Sequence, residues 1–106
     1  MNAILEFIKQ PDSVTLRLGG RLDIRAADKC RKACVEAAQF VQPVFVDWDA
    51  VEQIDLSALQ LLLALGKARQ GVEFSFGSDS VRTFLAWSGL TNEFRRDTKG
   101  RIGSRR

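Results

Sequence analysis

The sequence predicts an α/β fold: a single-domain sandwich with a mixed four-stranded sheet and three helices. Three observations carry that prediction. Residues 13–18 alternate apolar and polar, the period of a half-buried strand. Residues 25–40 and 57–70 repeat apolar positions at helical spacing and end at stop signals. Each helical stretch is followed by a β-prone run, Val44-Phe45-Val46 and then Val72 to Phe76. The order β, β, α, β, α, β, α makes an α/β layer structure, and right-handed crossovers put both linking helices on one face of the sheet. A chain of 106 residues fits one core. It buries roughly two-thirds of the surface that the unfolded chain exposes, so it needs no metal or disulfide to fold. No internal repeat or second domain is visible, and residues 1–94 are read as the domain.

Taken in order, Ile4 to Ile8 form a weaker strand, and the Gln10-Pro11-Asp12 break suits an antiparallel hairpin with the strand at 13–18. Gly19-Gly20 is expected to end that second strand. Between Arg25 and Phe40, apolar Ala26, Cys30, Ala33, Cys34, Ala37, Ala38 and Val41 share a small-residue face, and Pro43 stops the helix. The continuous run Val44-Phe45-Val46 reads as a central parallel strand buried on both faces. Ser57 and Gln60 fit a capping box, starting a leucine-rich helix that Gly71 closes. Its leucines are too many for one buried stripe. Val72, Phe74 and Phe76 then alternate with Glu73 and Ser75 as the last strand. Asp79 or a neighbouring Ser starts a final helix carrying Val81, Phe84, Leu85 and Trp87, which ends at Gly89 with Leu90 placed for a hydrophobic contact.

Composition narrows the function. With no His, a Ser/His/Asp triad, a Cys/His pair and every His-containing zinc site are impossible within the chain; acid or base chemistry would fall to carboxylates, Lys or Cys, nothing in the sequence suggests that it does, and no catalytic residue is expected. No cofactor is expected, and nucleotide binding by the domain is unsupported, since no Gly-rich phosphate loop precedes a helix. The net charge of +3 is local: residues 91–106 carry +4 and the preceding ninety residues −1. Residues 95–106 are therefore read as a basic, disordered tail, and nucleic acid is not an expected partner. No apolar run approaches the ~18–20 residues of a membrane span, and the first ten residues lack a signal-peptide pattern, which points to the cytoplasm with no direct membrane insertion. Cys30 and Cys34, four residues apart on one helix, are poorly placed for a disulfide and too few for structural zinc, so both are read as core. Trp48 and Trp87 are read as core or rim packing.

The stretch Val51 to Leu65, VEQIDLSALQLLLAL, is the most informative. Together with GRLDI at Gly20 to Ile24, Ala27, and Trp87-Ser88-Gly89-Leu90, it resembles the STAS domains of bacterial anti-sigma factor antagonists over residues 4–94. In that family the loop commonly reads D-S-S-G-L, and its second Ser or Thr is phosphorylated by a partner kinase that is itself the anti-sigma factor. Asp55, Ser57 and Leu59 match the pattern, whereas Leu56 replaces the first Ser and Ala58 the Gly. The resemblance implies a non-enzymatic regulatory module phosphorylated at Ser57, with Asp23, Asp55, Leu56, Ala58 and Leu61 on the partner-binding surface. Its partner would be an anti-sigma factor of the serine-kinase type. The alternative is a constitutive STAS subunit clamping the ABC ATPase of a phospholipid-transport system. A hydroxyl at a helix N-terminus suits the first reading, because the helix dipole and free N–H groups tolerate a phosphate there.

Overall fold

A computed structural model describes residues 3–94. The basic tail expected at 95–106 lies outside the described residues. Strand β1 (Ile4–Lys9) pairs antiparallel with β2 (Val14–Leu22), Ile4 opposite Gly19 and Lys9 opposite Val14. Parallel to β2 runs β3 (Val44–Ile54), and parallel to β3 runs the short β4 (Val72–Phe74), giving the order β1-β2-β3-β4. Helix α1 (Ala27–Ala38) makes the first crossover, α2 (Leu56–Ala68) the second, and α3 (Asp79–Ser88) follows β4. Residues 91–94 add one further helical turn to these three long helices.

One core holds the layers together. Val14, Leu16 and Leu18 of β2 and Val44, Val46 and Trp48 of β3 meet Cys30, Cys34, Leu59, Leu62, Val81 and Leu85 in one buried cluster. All three long helices therefore cover the same face of the sheet. No described residue outside the sheet covers the other face, so Phe45 is 38% exposed and the expectation of a strand buried on both faces is overturned. All-parallel sheets are covered on both faces, whereas antiparallel pairs such as β1–β2 commonly leave one face to water.

Strand β2 also runs past Gly19-Gly20 instead of ending there. The register slips between Arg17 and Gly19 and again between Gly20 and Arg21, with Gly20 at a φ of 70°. These bulges keep the ladder going to Leu22. After it, Ile24–Ala26 form a short 3-10 turn, and the regular helix begins at Ala27 rather than Arg25. Its buried face is Cys30, Ala33, Cys34 and Ala37. Ala38, the last residue of α1, is exposed, and so is Val41, because the helix ends before Val41 can join that face. The carbonyls beyond its end are gathered by Arg69, whose guanidinium donates to Phe40 O at 2.5 Å and Gln42 O at 3.1 Å.

The third expected apolar position of the last strand is missing too. The chain leaves the sheet after Phe74, because Asp49 Oδ1 accepts from Ser75 Oγ at 2.8 Å and from Gly77 N at 2.7 Å. Phe76 turns outward, and the Arg82 guanidinium lies over its ring at 4.3 Å. Trp48 is core: it packs on Phe74 and Phe94 at 5.3 and 5.1 Å and donates its indole N–H to Ser75 O. Trp87 is not, being 79% exposed and stacked on Phe84. Helix α3 is capped by Ser78 and ended by Gly89 at a φ of 78°, with Leu90 N donating to Leu85 O at 2.9 Å.

Candidate functional site

The candidate site forms where the two central parallel strands end. Leu22 of β2 pairs with Ile54 of β3, and Asp55 N donates to Leu22 O at 3.2 Å. Asp23 and Asp55 therefore leave neighbouring strands side by side, each at the start of a helical segment. Sites in open α/β sheets collect at such strand ends.

Asp23 caps the 3-10 turn: its Oδ1 accepts from Arg25 N at 3.0 Å and its Oδ2 from the Arg25 guanidinium at 2.9 Å. That guanidinium bond, more than any other influence, holds the Asp23 carboxyl below the usual carboxylate value. The turn leaves Ile24 72% exposed.

Helix α2 is capped by Asp55, not by Ser57. Asp55 has extended backbone angles, and its Oδ1 accepts from Ala58 N at 3.2 Å. Ser57 stands inside the first turn and donates its hydroxyl to the same Oδ1 at 2.7 Å. Both residue types cap well, so the choice falls to where β3 ends, and β3 runs to Ile54. The first turn of α2 holds no acidic residue, so the positive end of its dipole is answered by Asp55.

Of the other residues expected on the partner surface, Leu56 projects outward, 47% exposed, next to Ser57. Leu61 is half-buried against the core. Ala58 is 1% exposed, and its methyl cannot reach a partner, because the third residue of α2 turns inward onto the core. The leucine surplus is thus resolved: Leu59, Leu62 and Leu65 are core, Leu61 and Leu63 half-buried, Leu56 on the surface. Ile24 and Arg25 join the site although neither is among the site residues that the sequence suggests. Ile24 follows Asp23 as Leu56 follows Asp55, and that shared Asp-apolar step was the available signal.

Beneath the site, Cys30 and Cys34 are buried and free, with no disulfide between them. The hydrogen bond with the neighbouring Cys30 thiol, and after it burial, pushes the Cys34 thiol well above its ordinary range. Among the described residues no group of three or more His, Cys, Asp or Glu could hold a metal, and no helix is long and apolar enough to cross a membrane.

Solved structures share this fold. The anti-sigma factor antagonist SpoIIAA in its unphosphorylated form superposes with a TM-score of 0.59 at 24% identity, over 84% of this chain and 82% of that one. The Bacillus cell fate determinant SpoIIAA in the phosphorylated form gives 0.62 at 22% identity, over 84% and 85%. Among curated proteins no sequence matches the chain. Residues 6–96 match the family described as Mlab, STAS domain, and the chain belongs to that STAS family.

Proposed function

We propose that the protein is a non-enzymatic regulatory module of the anti-sigma factor antagonist type. It docks a protein partner at the start of α2 and is switched by phosphorylation of Ser57. One observation carries the reading: the Ser57 hydroxyl sits at a helix N-terminus beside exposed Leu56, on a sheet end that also exposes Ile24. Two apolar side chains around a modifiable hydroxyl, flanked by Asp23 and Asp55, make a docking surface whose character a phosphate reverses.

A phosphoserine adds about −1.5 to −2 charges at neutral pH. At Ser57 it replaces the hydroxyl now bonded to Asp55 Oδ1, setting two anions against each other while the N–H groups of α2 hold the phosphate. The fold survives, and the surface that was apolar becomes strongly anionic. Like-charge contact across an interface costs several kcal/mol, and about 1.4 kcal/mol is tenfold in affinity, enough for an on/off switch. The module works in the cytoplasm, where an ATP-dependent serine kinase of the anti-sigma type is both its partner and the source of the phosphate.

The family match and the apolar Leu56 favour a second reading, a constitutive subunit seated on the ABC ATPase of a phospholipid-transport system. Affinity capture from native cells separates the two. The switch reading expects wild-type protein to retain a serine kinase, Ser57→Ala to retain it too, and Ser57→Asp to lose it. Capture of an ABC ATPase by wild type and Ser57→Asp alike contradicts the switch. Leu56→Asp is expected to abolish capture under either reading.

A further inference from the structure

We propose that the protein pairs with a second copy of itself through the free edge of β1, so that two sheets join into one and the two α1 helices lie side by side above the seam. Among the described residues, strand β1 closes one end of the sheet order and bonds only to β2. Its outer side presents a row of unpaired N–H and C=O groups, a template for another strand. Beside that edge, a cavity of about 350 Å³ lies open between β1 and α1. Ala3, Leu5 and Phe7 form its strand side, and α1 supplies Ala33 with Lys29, Lys32 and Glu36. None of these residues belongs to the Asp23–Ser57 site, so the proposal stands apart from the switch.

Both walls of the cavity are self-complementary. If two β1 strands pair antiparallel about Leu5, Leu5 meets Leu5 and each Ala3 lies opposite a Phe7, small against large. On the other face Glu6 lies opposite Ile4, so no like charges oppose each other. On α1, Lys29 and Glu36 stand two turns apart on the side that lines the cavity. A two-fold axis midway between them, beside Lys32 and Ala33, brings Lys29 of each copy opposite Glu36 of the other, and the two Lys32 ammoniums it brings near each other are each paired to Asp28 of their own chain at 3.3 Å. Among the described residues, no ion pair within the chain engages Lys29 or Glu36.

The spacing agrees as well. Helix α1 packs on both β1 and β2, so two copies joined at β1 hold their α1 helices about two strand spacings apart. That is roughly 10 Å, the distance at which helices pack. A peptide from another protein could add a strand to the same edge, but it would need only the backbone row and would leave Lys29 and Glu36 unmatched.

The test is sedimentation equilibrium and light scattering of the full chain with two charge reversals at exposed positions. Wild type is expected at twice the 11.8 kDa monomer mass. Lys29→Glu and Glu36→Lys alone each turn two ion pairs into like-charge contacts and weaken the dimer about fivefold or more, while the double variant returns to within about twofold of wild type. Circular dichroism should be the same for all four proteins. A wild-type monomer at every concentration overturns the proposal, as do single variants that dimerise like wild type or a double variant that does not recover.

Discussion

Replacing Asp55 by Ala tests whether the start of α2 is built as described. The substitution removes the cap bond to Ala58 N and the acceptor of the Ser57 hydroxyl together. Losing an N-cap costs about 1 kcal/mol, within a range of roughly 0.5–2. Losing a hydrogen bond to a half-buried hydroxyl costs about 1 more. The expected loss is therefore about 2 kcal/mol. Ser57→Ala removes only the second bond and should cost no more than about 1 kcal/mol. Asp55→Asn keeps a side-chain oxygen in the capping position and should restore most of the difference. Urea unfolding followed by circular dichroism reads all three. With a slope of roughly 1–3 kcal/mol per molar, Asp55→Ala should shift the midpoint down by about 1 M. If Ser57→Ala costs as much as Asp55→Ala, or if Asn rescues nothing, Asp55 is not the cap.

Three further outcomes follow from the geometry. The Asp23 carboxyl should titrate below the ordinary carboxylate range by NMR and move up toward it in Arg25→Ala, since the guanidinium bond is the largest influence holding it down. Because the folded value is the lower one, the stability from this pair is present above the unfolded carboxylate range, at neutral pH, and is lost as pH falls through the folded value; an unmoved midpoint in Arg25→Ala contradicts the pairing. Trp48→Ala should cost about 3–5 kcal/mol in thermal or urea unfolding, whereas Trp87→Ala should stay within about 0.5 kcal/mol, and the reverse order would refute the assignment of core and surface. Arg69→Ala should cost about 1.5–3 kcal/mol by freeing the Phe40 and Gln42 carbonyls, with Arg69→Lys failing to recover it because an ammonium cannot span both; full recovery by Lys would contradict the forked geometry.

The features legible in the sequence were those set by local periodicity and by chain-terminating chemistry. The alternation at 13–18, the small-residue stripe through Cys30, Ala33, Cys34 and Ala37, and the Gly89-Leu90 ending all read correctly, because neighbours in sequence decide them. What failed depended on contacts distant in sequence. Whether Phe45 is buried depends on how many layers cover the sheet, and no local pattern states that. Phe76 continues an alternation perfectly well, yet Asp49, far back in the chain, pulls the segment off the sheet. Trp87 holds a helical position that would be core only if another layer lay outside α3. At the site, two good capping residues stood two positions apart, and the length of β3 chose between them. Ala58 points inward as the third residue of a helix capped by Asp55, packed on the core.

Whether Ser57 carries the switch is decided by peptide mass spectrometry of the protein purified from its native cells across growth conditions. The expected result is a phosphorylated peptide containing Ser57 whose occupancy changes with condition and falls to zero in Ser57→Ala, with that hydroxyl as the modified group. A Ser57 that is unmodified in every condition, in protein that still holds its partner, would contradict it and leave the hydroxyl as a local bond to Asp55.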